Sequence, residues 1–187
     1  MRKYYAGIGS RETPDHICRI MTNVASALEG DGWILRSGAA DGADIAFERG
    51  VKVMTNKEIF LPWSGYNART PGQGVYVGFA SFQLAETAMK VAEHHHPNWA
   101  ACSQGTRKMH ARNVLQIMGP SLDQLSAFVV CWTPNGSGSG GTGQAIRIAN
   151  ACEVPVFDLG KPDLSAVLNE IEDFIERYNL QNLNPNT

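Results

Sequence analysis

The sequence has 187 residues, of which 18% are charged, and a formal net charge of −2. This length fits one compact domain, and a charge so near zero argues against a protein that holds nucleic acid mainly by bulk electrostatic attraction. No apolar run reaches the roughly 18–20 residues that a membrane span requires, and the first residues lack the apolar stretch of a secretory signal. We therefore expect a cytoplasmic globular protein that does not contact a membrane.

The four cysteines lie far apart, at Cys18, Cys102, Cys131 and Cys152. No pair has the C-x-x-C spacing of a zinc knuckle or of a thioredoxin-type redox motif. Because nothing else in the sequence indicates an oxidising compartment, we expect buried free thiols rather than disulfides.

Short apolar segments alternate with helical patterns in the first third of the chain. Residues 3–9 are apolar at their centre and end in glycine, which is typical of a buried strand that breaks into a turn. Apolar residues at helical spacing follow over 17–28. Residues 33–37 predict the second strand, 45–53 the second helix and 58–61 the third strand. Strands that alternate with helices in this way indicate a parallel sheet covered by helices.

The middle of the chain is less regular. Residues 63–78 contain glycine, proline, asparagine and aromatic residues without a period, and we interpret them as a long ordered loop that covers a pocket. Residues 82–95 and 106–118 predict two further helices. Trp63 directly follows the third strand, so it can stack on a base; packing of the loop against the domain is the alternative.

The sheet pattern returns in the last third of the chain. Residues 127–132 form the most apolar segment, as expected of a central parallel strand. Residues 144–152 predict a helix and 154–157 a fifth strand. Apolar positions at helical spacing then predict a last helix from residue 164 onward.

Together these elements predict an α/β fold with a single doubly wound Rossmann-like domain over residues 1–178. We expect a mostly parallel five-stranded sheet, with helices on both faces and the long loop as an insertion. Residues 179–187 are rich in asparagine and predict a polar C-terminal tail.

Three strands end in turns of small residues, at 7–11, 37–44 and 136–143, and these turns hold much of a glycine surplus. Glycine occurs 19 times, where an average usage of ~7% gives about 13. At the carboxyl edge of a parallel sheet, such turns let the backbone approach a ligand, and helix N-termini there attract phosphate. Neither the P-loop motif nor the G-x-G-x-x-G dinucleotide motif is present, so a P-loop ATPase and a nicotinamide oxidoreductase are poor fits.

Four motifs resemble the SLOG superfamily, which groups the DprA/Smf proteins with the LOG phosphoribohydrolases. The motifs are Gly9-Ser10-Arg11 after the first strand, residues 37–44 after the second, Arg112-Asn113, and Gly141-Thr142 at a helix start. The sequence is most similar to the YspA/YpsA-related branch, whose members are often small bacterial or phage proteins. The resemblance implies a Rossmann-like fold with a pocket for a nucleotide or a nucleotide-derived ligand. SLOG relatives commonly dimerise, so we expect a homodimer or a higher homo-oligomer.

By position, the resemblance places residues of all these motifs in the ligand site. Including the aromatic candidate Trp63, the expected ligand-binding residues are Gly9, Ser10, Arg11, Ser37, Gly38, Gly42, Asp44, Trp63, Arg112, Asn113, Gly140, Gly141 and Thr142. On a helix Arg112 shares a face with Lys108, so the pair can clamp a phosphate, with Asn113 on a base or ribose. A solvated helix face is the alternative for this basic pair.

An enzymatic role depends on carboxylates near the predicted pocket. In the LOG enzymes a glutamate of the glycine-rich motif serves catalysis at an N-glycosidic bond, and Ala145 stands at that position here. This departure argues against LOG-type hydrolysis, because alanine cannot exchange a proton. Asp44 and Glu48 are the remaining catalytic candidates, and Asp41 or Asp44 can instead cap the second helix.

Three consecutive histidines, His94, His95 and His96, precede Pro97. Successive residues of a helix point about 100° apart, so these three side chains cannot converge on one ion. We expect a solvated helix end here, and we predict no metal site and no cofactor.

These features predict a protein that binds a nucleotide or a nucleotide-derived ligand at the C-terminal edge of the sheet, as a sensor or sequestering module. One alternative is a hydrolase or transferase that acts on the N-glycosidic bond of nucleotides. A second alternative is a DprA-like DNA-binding protein. The low charge and the lack of a basic stripe weigh against this last class, although a dimer can concentrate the basic residues on one groove.

Overall fold

The chain folds around one six-stranded sheet, seen in a computed structural model that describes residues 2–79 and 81–183. The strands are β1 (Lys3–Gly7), β2 (Trp33–Ser37), β3 (Lys57–Leu61), β4 (Val75–Val77), β5 (Val129–Cys131) and β6 (Val156–Asp158). The α-helices are α1 (Asp15–Gly30), α2 (Ala43–Gly50), α3 (Phe82–His94), α4 (Gln104–Met118), α5 (Gly140–Ala151) and α6 (Leu164–Leu183). All neighbouring strands are parallel, in the order β4-β3-β2-β1-β5-β6.

Helices cover both faces of the sheet. Alternate residues of a strand point to opposite faces, so Tyr5 and Val130 join a core with α1, α2 and α6, whereas Ala6 and Val129 join a core with α3, α4 and α5. This arrangement confirms the predicted α/β architecture with a parallel sheet. The strand order reverses at β1, because β2 to β4 extend to one side and β5 and β6 to the other. The gap between β1 and β5 is therefore the switch point at which ligands of such sheets bind.

The prediction of five strands was wrong, because β4 forms a sixth within residues 63–78, which we expected to be a loop. β4 is 3 residues long and lies at the sheet edge, where Val75 pairs with Ile59. A turn through Gly74, with a φ of +73°, leads into it. So short a strand shows no period in the sequence. No described residue of 63–78 lines the cavity reported below, so this segment extends the sheet rather than covering the pocket.

Three further predictions concern the C-terminal tail, the cysteine side chains and membrane-spanning helices. α6 runs to Leu183, so residues 179–183 continue a helix, while 184–187 lie outside the described residues. All four cysteines are free thiols, but only Cys131 is fully buried and the other three are half-buried. In the described ranges we find no helix that combines the length and the apolar character of a membrane span.

Candidate functional site

The turns that follow β1 and β5 meet at the switch point between these strands. A Cβ atom on Gly9 would lie 2.6 Å from the Ala43 Cβ and 3.2 Å from the Trp132 backbone nitrogen. Only glycine allows so close an approach. The Ser10 backbone N–H then donates to the Trp132 carbonyl at 3.4 Å. The turn after β1 is thus tied directly to the end of β5.

A cavity of about 600 Å³ opens at this junction. Most of the predicted ligand-binding residues line it: Gly9, Ser10, Arg11, Asp44, Arg112, Asn113, Gly140, Gly141 and Thr142. They belong to the turn after β1, the first turn of α2, one face of α4 and the start of α5. Elements that are distant in sequence therefore converge on one concave site, whose size is typical of small-molecule pockets.

Three other predicted residues support the cavity without lining it. The Ser37 hydroxyl donates to the Gly7 carbonyl at 2.7 Å and holds β2 against β1. A Cβ atom on Gly38 would overlap the Arg112 guanidinium, so this glycine makes room for that side chain. Gly42, with a φ of +76°, precedes α2 and packs against the backbone of the turn after β1.

Glu48 and Trp63 do not line the cavity. The Glu48 carboxylate is buried and bridges two cations, with Lys57 Nζ at 3.4 Å and Arg69 Nη2 at 2.8 Å. It is therefore not placed to act as a catalytic carboxylate at this site. Trp63 packs edge to face against Tyr66, with ring centroids 5.1 Å apart, and is 38% exposed.

Replacing Glu48 with glutamine tests whether this residue lies outside the ligand site. The substitution removes the charge that Lys57 and Arg69 share, and hydrogen bonds to charged groups contribute about 1.5–3 kcal/mol. We expect the free energy of unfolding to fall by about 2 kcal/mol, with ligand affinity unchanged. Urea unfolding measures the first quantity and a binding titration the second. Unchanged stability together with lost binding would instead place Glu48 in the ligand site.

Asp44 and Arg112 form a buried ion pair in the cavity wall. Arg112 Nη1 donates to Asp44 Oδ2 at 3.1 Å, and the Ala40 backbone N–H donates to the same oxygen at 3.2 Å. Asp44 therefore holds the arginine rather than capping α2. Burial raises the pKa of Asp44 above its ordinary value, and the adjacent guanidinium opposes this rise.

Two buried nitrogens in the cavity wall, Arg112 Nε and Gln116 Nε2, have no hydrogen-bond partner among the described residues. Buried polar atoms in folded proteins are almost always hydrogen-bonded. Met109, Arg112, Asn113 and Gln116 recur at i, i+3, i+4 and i+7 on α4, so they share one face of the helix. Arg112 and Gln116 therefore contribute polar side chains to the cavity wall, beside the apolar Met109 side chain.

The start of α5 contributes backbone N–H groups to the cavity. Gly140, Gly141 and Thr142 are its first residues, and no side chain in the described part of the chain caps it. Free N–H groups and the helix dipole at such an end attract anions. A Cβ atom on Gly141 would meet no described atom within 4 Å, so the space beside this residue is open.

A network of hydrogen bonds holds the turn that precedes α5. The Asp158 carboxylate accepts from the backbone N–H groups of Thr133 and Gly160, both at 2.9 Å, and from the Thr133 hydroxyl. The same hydroxyl oxygen accepts from the Gly138 N–H at 2.9 Å. Asp158, at the end of β6, thus positions the glycine-rich turn. We did not predict this role, because nothing in the sequence links Asp158 to Thr133.

The polar face of α4 differs from the prediction in two ways. Asn113 Nδ2 donates to Gln144 Oε1 at 3.1 Å and to the Gly141 carbonyl at 3.4 Å, so this amide ties α4 to the start of α5. Lys108 is exposed and does not line the cavity. Met109, at i−3 from Arg112, takes the position that we assigned to Lys108.

Several lining residues were not predicted. They are Ile8, Glu12, Ala40, Thr106, Met109, His110, Gln116, Pro134, Ser139 and Ala145. Helical spacing from Arg112 could have found Met109 and Gln116, and Glu12 and Ser139 adjoin the motif turns. Ala145, which the sequence resemblance places at the position of the LOG glutamate, is 1% exposed.

The three consecutive histidines diverge. His94 is exposed at the end of α3, and His95 caps that helix. His96 lies beyond the helix and meets Cys102 and His110, so that their ligand atoms all lie within 4.8 Å of one another. Burial and the neighbouring His96 lower the pKa of His110 below its ordinary value.

The fold and the cavity define a Rossmann-like α/β protein with a concave site at its switch point. No protein-family model and no curated protein matches the chain. Among solved structures, the chain is similar to DNA processing protein A (DprA) from Helicobacter pylori, with a TM-score of 0.56 and 19% sequence identity over 91% of this chain and 73% of that chain. That structure was reported for its unique single-stranded DNA binding mode. At this sequence identity the similarity shows a shared fold.

Proposed function

We propose that the cavity binds one nucleotide unit of single-stranded DNA. The observation that carries this proposal is an anion-attracting helix end beside a polar face of α4 in one cavity of about 600 Å³. A nucleotide presents the matching groups, because it joins a negative phosphate to a base with several acceptor atoms. The volume falls within the range of sites that hold ligands of this size.

The start of α5 suits the phosphate of the bound nucleotide. Its N–H groups at Gly140, Gly141 and Thr142 lie at the cavity, and hydrogen bonds to a charged oxygen are stronger than those between neutral groups. The Thr133–Asp158 hydrogen bonds hold the preceding turn in place. A preformed helix end of this kind binds an anion with little reorganisation.

Arg11 suits a neighbouring phosphate of the strand. Its side chain lies at the cavity and is exposed, and Nη2 donates to the Tyr66 hydroxyl at 3.1 Å. Arg11 forms no ion pair with any residue in the described part of the chain. Its positive charge is therefore available to the sugar–phosphate backbone.

The face of α4 suits the base. Arg112 and Gln116 place polar side chains in the cavity wall for the acceptor atoms of a base, while Met109 offers an apolar surface for its ring. Single-stranded nucleic acid can turn a base into such a pocket, because its bases are not held in pairs.

The fold similarity to DprA favours a strand over a free nucleotide, because that protein binds single-stranded DNA. The chain carries a net charge of only −2 and 18% charged residues, so affinity depends on a few local contacts. We therefore expect a shallow salt dependence, in contrast to proteins that bind through a broad basic surface.

A free nucleotide is the second candidate ligand, and it corresponds to a sensor or a sequestering module. The size of the cavity favours it, because about 600 Å³ holds one nucleotide without requiring a longer strand. Competition between mononucleotides and an oligonucleotide separates the two candidates, as described below.

Cleavage of an N-glycosidic bond is not part of the proposal. Ala145 replaces the glutamate of the LOG enzymes, and Glu48 is committed to Lys57 and Arg69. Asp44 lines the cavity, and its Oδ2 atom accepts from Arg112 and from the Ala40 N–H. We therefore assign it to positioning Arg112 rather than to proton transfer.

Replacing Arg11 with alanine is expected to weaken binding of a fluorescein-labelled oligothymidylate several-fold. The loss of one phosphate contact lowers the salt dependence of the association constant by about 0.7 in log–log slope. Fluorescence anisotropy at a series of salt concentrations measures both quantities. Arg177→Ala is the matched control, because Arg177 is an exposed arginine on α6 that does not line the cavity.

The same assay distinguishes the two ligand classes. If mononucleotides displace the oligothymidylate only at far higher concentration, the strand is the ligand. Displacement at equal concentration of nucleotide identifies the free nucleotide instead. If neither ligand binds the wild-type chain, or if Arg177→Ala weakens binding as much as Arg11→Ala, the proposed site is wrong.

A homo-oligomer, which the sequence resemblance implies, concentrates the basic residues of two copies on one strand. Size-exclusion chromatography with light scattering, with and without oligothymidylate, tests this proposal.

The cytoplasmic location, the YspA/YpsA-related branch and a bacterial or phage origin stay predictions from the sequence.

A further inference from the structure

A second cluster of chemically active side chains adjoins the cavity. His96 lies just after α3, Cys102 just before α4, and His110 on α4, so the segment between the two helices brings all three together. We propose that His96, Cys102 and His110 form a binding site for a divalent transition-metal ion, with zinc preferred. The proposal is independent of the nucleotide site.

The distances within the cluster approach those of a tetrahedral zinc site. Cys102 Sγ lies 3.7 Å from each ring nitrogen of His96, and the rings of His96 and His110 are 4.5 Å apart between centroids. In a tetrahedral site with Zn–S of about 2.3 Å and Zn–N of about 2.0–2.1 Å, neighbouring ligand atoms are separated by about 3.3–3.6 Å. Because Cys102 Sγ is equidistant from both nitrogens of His96, this ring must turn until Nε2 alone faces the thiol. The ligand atoms then approach the tetrahedral separations.

His110 provides an independent sign that a partner belongs here. Its residue is only 7% exposed, and Nδ1 has no hydrogen-bond partner within the described residues. A buried imidazole nitrogen without a partner is unfavourable, and a metal ion bound through Nδ1 would satisfy it. The Asn98 N–H donates to His96 Nδ1 at 3.2 Å and holds that ring beside the thiol.

The ligand types select the class of ion. Two imidazoles and one thiolate suit Zn²⁺ and related transition metals, whereas Mg²⁺ and Ca²⁺ require oxygen ligands. Three protein ligands leave a fourth position for water or another group, as in zinc sites that are not purely structural. His110 lines the cavity, so the ion would lie close to its wall.

The positive charge of Arg107 near the cluster makes the Cys102 thiolate the most important ligand for binding a cation. Arg107 lies over the Trp99 ring, 5.4 Å from its centroid, and Trp99 packs against both histidine rings. A nearby guanidinium opposes a second cation, so the negative thiolate is needed to offset it. A serine at position 102 preserves the shape of the side chain but supplies no thiolate.

The consecutive histidines obscured this site in the sequence. Three successive helix residues cannot converge on one ion, and His94 and His95 do not belong to the cluster. The other two ligands come from Cys102 and His110, at separations that match no standard zinc motif. The return of the chain after α3 brings them to His96.

Titration of the full chain with Co²⁺ and Zn²⁺ tests the proposal. We expect one ion per chain, and a thiolate-to-metal charge-transfer band in the Co²⁺ spectrum that Zn²⁺ abolishes by displacement. Cys102→Ser is expected to remove this band and to weaken Zn²⁺ binding by more than about 100-fold, because even second-shell changes reduce metal affinity by 10–100-fold. Isothermal titration calorimetry measures the affinity.

Two matched controls complete the experiment. Cys152→Ser removes another half-buried thiol, and His95→Gln removes a neighbouring histidine outside the cluster, so both are expected to bind metal like the wild type. Circular dichroism of each variant without metal checks the fold. Absence of metal binding by the folded wild-type chain, or equal binding by Cys102→Ser, overturns the proposal. A loss that appears equally in Cys152→Ser does the same.

Discussion

Replacing Gly141 with aspartate is expected to reduce the affinity for single-stranded DNA by more than about 100-fold, since juxtaposed like charges cost several kcal/mol. The new carboxylate would occupy the space in front of the α5 N–H groups, which is the site proposed for the phosphate. Gly141 suits this test, because a Cβ atom there meets no described atom within 4 Å and its φ is not positive. The substitution therefore changes the charge of the site without forcing the backbone to move.

The same substitution is expected to leave the fold intact or to stabilise it slightly. A carboxylate in the first turn of a helix contributes about 0.3–1 kcal/mol through the helix dipole. Loss of binding with a retained or raised unfolding midpoint therefore separates a binding defect from a folding defect. Thermal unfolding followed by circular dichroism and anisotropy with labelled oligothymidylate give the two readouts.

Gly141→Asn is the matched control for charge. Asparagine has nearly the same shape as aspartate and also suits a helix N-terminus, but it carries no charge. We expect this variant to lose far less affinity than Gly141→Asp. If both variants bind DNA like the wild type, the phosphate does not lie at the start of α5. If both lose binding equally, steric exclusion rather than charge explains the effect.

The sequence was most informative where local chemistry decides the structure. Strands that end in glycine and helices with an apolar face follow from neighbouring residues, so the alternation of strands and helices could be read along the chain. The convergence of the first and third glycine turns followed from one topological rule, which places ligands at the carboxyl edge of a parallel sheet. β4 could not be predicted in this way, because so short an edge strand is defined by its pairing with β3 rather than by a pattern in its own residues.

The roles of individual site residues depended on contacts between distant segments. The motif after β2 suggested direct ligand contact, but its residues have other roles. Ser37 holds β2 against β1, Gly38 leaves room for the Arg112 side chain, and Gly42 precedes α2. The ion pair between Arg112 and Asp44 joins residues of α4 and α2. No local pattern indicates such a pair, because its geometry exists only after the helices pack on the sheet.

The Arg112–Asp44 pair should dominate the stability of the site. Arg112→Met keeps most of the side-chain volume but leaves the Asp44 carboxylate buried without its cation. Breaking a buried ion pair in this way costs about 3–5 kcal/mol, a large part of the ~5–15 kcal/mol that stabilises a typical domain. Urea unfolding of the variant and the wild type measures this loss. Gly38→Ala should act in the same direction, since its Cβ atom displaces the Arg112 guanidinium.

The pH dependence of the stability lost in Arg112→Met shows whether the buried charge of Asp44 causes it. Without Arg112, the pKa of buried Asp44 rises further, because only the guanidinium and a few hydrogen bonds oppose the effect of burial. A carboxyl group whose pKa is higher in the folded than in the unfolded state stabilises the fold in acid, and this contribution is lost as the pH rises through the folded-state pKa. The stability deficit of Arg112→Met should therefore be larger at about pH 8 than at about pH 5.

A double variant then separates charge from packing. In Arg112→Met/Asp44→Asn no buried charge remains, and the asparagine can still accept the Ala40 N–H, so most of the lost stability should return and the pH dependence should disappear. If the double variant stays as unstable as Arg112→Met at every pH, the arginine stabilises the site through packing of its long side chain over Gly38.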